Sequence, residues 1–179
     1  PKKWSHKVHL FPVSGVSDND LKIRAPAETG DREFSVVSAG SLIRVKGFGL
    51  AIKAFKQFSL KYPNSNFAIA GRGPEEARLK DLIERSGLIG KVHLVGELPR
   101  EELMLKLAAS DVVLFPSLRD GGGTVVIEAM SVGKPVVCLD IGGPGLHITE
   151  ECGIKVSPAD PDTTAGQLAD ALERLYQDK

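Results

Sequence analysis

The stretch DVVLFPSLRDGGGTVVIEAMSVGKPVVCLD, residues 111–140, decides the fold. Its first five residues, 111–115, are apolar after Asp111, and residues 135–139 form a second apolar run. A longer, mostly apolar segment at 124–132 separates the two. Short continuous apolar runs are typical of strands that are covered on both faces. Since parallel strands need a crossover of about this length, residues 111–139 are predicted to form a strand–helix–strand unit.

The same alternation extends in both directions from this unit. Further strands are predicted at 34–39, 66–70, 92–95 and 154–156, and further helices at 46–60, 74–86, 99–109 and 163–176. Strands that alternate with helices of ten or more residues indicate a parallel sheet. We therefore predict an α/β fold, a Rossmann-like doubly wound parallel sheet with helices on both faces.

Composition narrows the class of protein. The 179 residues carry a formal net charge of zero, with 42% hydrophobic and 26% charged residues, which is typical of one globular domain. A net charge of zero argues against nucleic acid as the main partner, because proteins that bind phosphate backbones usually carry net positive charge. Cys138 and Cys152 have no metal-binding spacing and are far apart, so we expect reduced thiols and a cytoplasmic location.

In doubly wound folds, ligands bind at the carboxyl ends of the strands, so the loops that follow strands are the candidate site. The loop at 40–47 carries Arg44 and Lys46 just before a helix. Cations beside helix-end amides suit a phosphate group. By spacing alone, ordinary solvated cations explain the two residues equally well.

The next loop holds Gly71, Arg72 and Gly73. The dinucleotide-binding fingerprint would need a third glycine where Glu76 stands, so the pattern opposes a nicotinamide-dependent dehydrogenase. A tight strand-to-helix turn accounts for the two glycines equally well.

The third loop is the most informative one. Asp120 and the glycines 121–123 lead into a helix at Thr124, so that exposed amides and a helix dipole meet at one point. Glu128 lies in the otherwise apolar part of that helix. A carboxylate there must face a ligand, lie on an exposed stripe, or pair with a lysine such as Lys134.

A fourth loop, 140–145, is predicted to be a glycine-rich turn near the same edge. Together these loops suggest a nucleotide-sugar site without a metal. In it, Glu128 and Asp120 would bind hydroxyl groups, and Lys46 with the glycine loop would bind a diphosphate.

Residues 116–137 resemble the signature of group 1 glycosyltransferases, the retaining GT-B enzymes also called glycosyltransferase family 4. That signature contains two acidic residues with seven between them, a spacing that Asp120 and Glu128 share. Lys46 resembles the phosphate-binding lysine of that family. The turns at 71–75 and 95–96 resemble those that flank the base, and residues 11–16 resemble the end of the segment that crosses from the N-terminal domain.

The resemblance implies a C-terminal, donor-binding domain of an enzyme that transfers a sugar with retention and without a metal or other cofactor. It implies that Glu128 binds the ribose, that Asp120 lies near the sugar hydroxyls, and that Lys46 neutralises the departing diphosphate. These three are the predicted catalytic residues. The predicted donor-binding residues are Arg44, Gly71, Arg72, Gly73, Val95, Gly96, Gly121, Gly122, Gly123, Thr124 and Val125.

On the same basis, residues 1–32 are predicted to be an interdomain linker with the end of a preceding domain, and residues 33–179 the nucleotide-sugar-binding domain. The acceptor glycan or lipid would bind through an N-terminal domain outside this chain, and any association with the inner face of a membrane would occur there too. We expect the chain alone to bind donor weakly and not to transfer sugar.

Two departures from the family pattern leave alternatives open. Asp120 stands where the family usually has glutamate, and Ser41 stands where it usually has arginine. A non-catalytic nucleotide-binding module, or degenerate transferase, is therefore the main alternative. A GT-B epimerase that acts on a nucleotide sugar is another.

Overall fold

The computed structural model describes residues 15–24 and 32–178, so the predicted crossing segment up to residue 14 lies outside the described residues. The strands are β1 Phe34–Ala39, β2 Ser65–Ala70, β3 Val92–Gly96, β4 Val112–Phe115, β5 Val136–Leu139 and β6 Gly153–Val156. The α-helices are α1 Phe48–Lys61, α2 Glu76–Arg85, α3 Arg100–Ala109, α4 Thr124–Ser131, α5 Gly142–His147 and α6 Pro161–Gln177. The strands predicted from residue 34 onward are all present.

The six strands form one parallel sheet in the order β3-β2-β1-β4-β5-β6. Along β1, residues 34–39 pair with residues 65–70 of β2 on one side, while Val36 and Val37 pair with Val112 and Val113 of β4 on the other. The predicted doubly wound sheet is therefore confirmed. The strand order reverses between β1 and β4, and in such sheets the crevice at the reversal is the usual ligand site.

Helices cover both faces of the sheet because side chains alternate along each strand. Phe34 and Val36 of β1 point into a core that contains buried side chains of α1, α2 and α6. Val37 points the opposite way, into a second core with α3 and α4. This double burial is why the central strands β2, β1, β4 and β5 are mostly apolar, whereas the edge strands β3 and β6 are partly exposed.

The predicted glycine-rich turn at 140–145 is wrong, because α5 begins there at Gly142. A sequence of glycines and Pro144 has a low helix propensity, which hid this element. Proline is tolerated in a first turn, where its missing N–H has no intrahelical partner. The amide of Gly143 donates to the Asp120 carbonyl oxygen (2.9 Å), so a contact outside the helix compensates for the weak local preference.

Two short 3₁₀ turns, Asp20–Lys22 and Arg44–Lys46, were not predicted either. The first lies within residues 1–32, the predicted interdomain linker with the end of a preceding domain. The second includes residue 46, where the first helix was predicted to start, and α1 begins at Phe48 instead. At the other end of the chain, α6 begins earlier than predicted because Asp160 accepts from the amides of Asp162 and Thr163 and so caps it.

Both cysteines are free thiols, as predicted; Cys138 is buried and Cys152 partly exposed. Within the described ranges, no helix has the length and apolar character needed to cross a membrane.

Candidate functional site

The loops that follow β1 and β4 lie against each other at the point where the strand order reverses. The amide of Leu118 donates to the carbonyl oxygen of Val45 (2.7 Å). Gly47 has φ +71°, and a Cβ at that position would lie 2.1 Å from the Pro116 carbonyl oxygen. Only glycine permits both this backbone conformation and this close approach.

Lys46 and Asp120 meet across these two loops. The Lys46 Nζ lies 2.5 Å from the Asp120 Oδ2 and 5.7 Å from the centre of the Phe115 ring. The other carboxylate oxygen, Oδ1, accepts from the amides of Gly123 (2.7 Å) and Gly122 (3.2 Å). Burial raises the pKa of the Asp120 carboxyl, but the hydrogen bonds from Lys46 and Gly123 outweigh burial and hold the pKa below its ordinary value.

The glycine loop is therefore ordered by the chain itself. The amides of Gly122 and Gly123, predicted to contact a ligand, bind Asp120 in this structure. Behind the loop, His147 Nε2 of α5 lies 3.2 Å from the Gly122 carbonyl oxygen. Gly121 and Thr124 are exposed, and Thr124 opens α4, so the first amides of this helix have no carbonyl partner within it.

A cavity of about 240 Å³ opens beside this crevice, at the carboxyl ends of β1, β2 and β3. The predicted residues Gly71, Arg72 and Val125 line it, together with Ser41, Glu97 and Leu103.

The turns that border this cavity are held to one another through the backbone. The amide of Gly71 donates to the Gly96 carbonyl oxygen (2.7 Å), and the amide of Leu42 donates to the Arg72 carbonyl oxygen (2.8 Å). Gly73 belongs to the same turn, and its carbonyl oxygen accepts from the Glu76 amide (3.1 Å). Of the predicted residues in these turns, Gly71 and Arg72 line the cavity, whereas Gly73 and Gly96 lie outside its lining. Val95 on β3 is exposed and also lies outside the lining.

Glu128 is buried, with 5% of its surface exposed, so the exposed-stripe interpretation is wrong. Its Oε1 accepts from Nη1 of Arg100, a residue of α3, rather than pairing with Lys134. This arginine also donates from Nη2 to the Gly15 carbonyl oxygen (2.6 Å) and to Asp20 Oδ2 (2.9 Å). A buried carboxylate on an apolar helix needs such a partner.

Arg100 was not among the predicted site residues. The available signal was an arginine at the start of a helix that follows a strand, which puts it at the carboxyl edge of the sheet. Arg44, by contrast, is a predicted donor-binding residue that lies away from the cavity, because it lines a separate groove with Leu50 and Leu118.

Across the described ranges, no group of three or more histidine, cysteine, aspartate or glutamate side chains could hold a metal ion.

The family model for group 1 glycosyl transferases matches residues 19–179. The chain belongs to this family. Its fold is that of the C-terminal domain of the GT-B architecture, as predicted.

Named relatives and solved structures agree with this assignment. The α-D-kanosaminyltransferase of Streptomyces kanamyceticus is 30% identical over 184 residues, which cover 99% of this chain and 46% of that protein. Sucrose-phosphate synthase from Thermosynechococcus elongatus superimposes with a TM-score of 0.78 at 27% identity, over 99% of this chain and 46% of that one. Anabaena HepE, solved with UDP and glucose, superimposes with a TM-score of 0.68 at 26% identity, over 82% of this chain and 40% of that one. The chain thus spans less than half of each of these proteins.

Proposed function

We propose that this chain is the donor-binding domain of a retaining glycosyltransferase. The enzyme would transfer a sugar from a nucleotide donor to a glycan, lipid or small-molecule acceptor, without a metal. One observation supports this above all: the cavity and the Lys46–Asp120 crevice share one edge of the sheet, and α4 joins them. This helix begins at the glycine loop beside Asp120 and carries Val125 into the cavity wall.

Each part of a nucleotide sugar has a counterpart along this edge. The base fits the cavity between the turns at Gly71 and Gly96. The ribose hydroxyls can donate to Glu128, which is one helical turn beyond Val125 and therefore on the same side of α4. The diphosphate lies where the start of α4 and Lys46 supply positive potential, since a helix N-terminus and an ammonium group both favour anions.

Lys46 would provide most of the electrostatic stabilisation during transfer. As the bond between the anomeric carbon and the diphosphate oxygen breaks, the bonding electrons pass to the diphosphate and its charge grows. A fixed ammonium group stabilises that charge more in the transition state than in the ground state. The acceptor hydroxyl oxygen forms the new bond to the anomeric carbon and passes its proton to the departing diphosphate oxygen, and the sugar keeps its anomeric configuration.

The acceptor would bind to parts of the enzyme that this chain does not contain, because the chain spans less than half of its relatives. We therefore expect the chain alone to bind the donor without transferring the sugar. Sugar transfer to an added acceptor by the chain alone would contradict this part of the proposal.

A second candidate function, a non-catalytic nucleotide-binding module, is favoured by the Lys46–Asp120 ion pair. The two side chains expected at the diphosphate and the sugar neutralise each other at 2.5 Å. Asp120 is also one methylene shorter than the family's usual glutamate. If the chain binds nucleoside diphosphates and their sugars equally well, the site does not recognise the sugar and this candidate is preferred.

Calorimetric titration with UDP, GDP and ADP tests the proposal, with Glu128→Gln as the decisive variant. We expect one diphosphate to bind and the variant to bind it about tenfold more weakly, since a neutral amide is a poorer acceptor for ribose hydroxyls. The same variant should bind the 2′,3′-dideoxy analogue as tightly as the unsubstituted chain does.

Glu102→Gln, an exposed site on α3, is the matched control and should bind the ribonucleotide unchanged. If Glu128→Gln lost equal affinity for the ribose and dideoxy ligands, Glu128 would have no contact with the hydroxyls.

A further inference from the structure

Arg100 joins two parts of the chain that are far apart in sequence. Its Nη1 donates to Glu128 on α4, while its Nη2 donates to the Gly15 carbonyl oxygen and to Asp20 Oδ2. The described segment 15–24 is therefore tied to the helix that carries the proposed ribose-binding carboxylate.

In segment 15–24, several hydrogen bonds hold the side chain that contacts Arg100. Asp20 is buried, and its Oδ2 accepts from the amide of Ser17 (2.7 Å) and from the Ser17 hydroxyl (2.9 Å) as well as from Arg100. The hydrogen bonds from Ser17 and Arg100 hold the pKa of the Asp20 carboxyl below its ordinary value. Ile23, three residues later, packs against the core between α3, α4 and the sheet.

The other end of the contact borders the cavity. Leu103 and Val125 both line it. Arg100 precedes Leu103 by three residues on α3, and Glu128 follows Val125 by three on α4, so each pair shares one side of its helix. The Arg100–Glu128 ion pair consequently lies next to the cavity wall.

We propose that Arg100 is a positioning residue that couples nucleotide binding at Glu128 to docking of segment 15–24. This inference rests on the proposed function, because it assigns the coupling to the same donor site. Arg100 uses one oxygen of the Glu128 carboxylate. An ionised carboxylate has about four acceptor positions, so the remaining ones can receive ligand hydroxyls in a fixed orientation.

The coupling is positive and works in both directions. When segment 15–24 is docked, Asp20 and Gly15 hold the Arg100 guanidinium in place, and Arg100 in turn fixes Glu128 for the ligand. Because binding free energies are linked, a nucleotide that prefers the fixed carboxylate must also stabilise the docked segment. In an enzyme whose donor domain follows a linker, donor binding would therefore stabilise the docked position of the segment that leads from the linker into the domain.

Asp20→Ala is the sharpest variant, because it removes the segment's carboxylate and leaves Arg100 and Glu128 intact. We expect it to weaken binding of the nucleoside diphosphate by at least about fivefold, the lower end of typical coupling between sites. Asp18→Ala removes the same charge from an exposed position in the same segment, and its affinity should stay unchanged. Arg100→Lys should retain part of the affinity that Arg100→Ala loses, since a lysine keeps the charge but cannot reach all three acceptors at once.

The coupling can also be tested on the unsubstituted chain, so that the test does not depend on whether Asp20→Ala folds. Hydrogen exchange at the Ser17 amide, which donates to Asp20, should slow when the nucleoside diphosphate is added. Unchanged exchange, or equal affinity in the Asp18 and Asp20 variants, would overturn the coupling while the proposed function stands. If the unsubstituted chain bound no nucleoside diphosphate, the proposed function would fail and this inference with it.

Discussion

The side chain of Asp120 is short enough to bind its own loop. One oxygen accepts from the amides of Gly122 and Gly123, and the other from Lys46. A local turn of this kind is typical of aspartate, whose carboxylate reaches amides two and three residues ahead. In this chain, Asp120 therefore binds both the glycine loop and Lys46.

Asp120→Asn should lower the free energy of unfolding at pH 7 by about 1–2 kcal/mol, because the amide oxygen can still bind the loop but Lys46 loses its ionic partner. Urea denaturation measures this change. Asp170→Asn, at an exposed position on α6, is the control and should change stability by less than about 0.5 kcal/mol. Equal losses in both variants would show that the Lys46–Asp120 pair contributes nothing specific.

The same pair predicts how this stability difference depends on pH. The folded chain holds the pKa of Asp120 below the ordinary value of 3.8. A lowered pKa means that the contribution is fully present well above pH 3.8 and is lost as the pH falls through the folded-state pKa. Unfolding curves of the parent chain and Asp120→Asn should therefore converge at acid pH, and a difference that persists there would have another origin.

At the scale of loops and helices, the contact between the loops after β1 and β4 forms the crevice. Gly47→Ala should destabilise the chain by more than about 2 kcal/mol, because its methyl group would overlap the Pro116 carbonyl and φ is positive.

Gly87→Ala is a matched control for this substitution. Gly87 has φ +70°, but a Cβ there meets nothing within 4 Å, so only the backbone strain of about 1–2 kcal/mol remains. Thermal or urea unfolding compares the two variants. If both cost the same, the close approach at Pro116 is not a constraint on the crevice.

The sequence was sufficient to predict the six strands because each contains a short run of mostly apolar residues, and the four central strands β2, β1, β4 and β5 are buried at nearly every position. It did not predict α5, whose glycines and Pro144 have a poor intrinsic preference for helix and depend on a contact with the glycine loop. Local propensity is a weak guide wherever tertiary contacts supply the stabilisation.

The structure brings the predicted loops together at one edge of the sheet, and it contains side-chain pairs that the sequence did not predict. Burial of a carboxylate at Glu128 did indicate that a partner exists, yet nothing local identifies Arg100, which is 28 residues away on another helix. The direct contact between Lys46 and Asp120 was also not foreseen, because it depends on how closely the two loops approach. The position of a residue relative to the predicted strands indicates which edge of the sheet it reaches. Which side chain it pairs with depends on how the helices and loops pack.

Across the whole molecule, the site joins the two halves of the sheet. The cavity lies at the ends of β1, β2 and β3, while the glycine loop and Asp120 follow β4. A nucleoside alone would contact mainly the first half, whereas a nucleoside diphosphate would extend across the reversal of strand order to Lys46. We therefore predict that the two halves of the sheet recognise different parts of one ligand.

Calorimetric titration of the Lys46→Ala variant with a nucleoside diphosphate and with its parent nucleoside tests this claim most directly. We expect the variant to bind the diphosphate about tenfold or more weakly, as for a lost charge-assisted contact, and to bind the nucleoside unchanged. Lys56→Ala, an exposed lysine of α1, is the control and should bind both ligands as the parent chain does. If Lys46→Ala bound the diphosphate as tightly as the parent chain, or lost affinity for both ligands equally, Lys46 would not be the group that recognises the diphosphate.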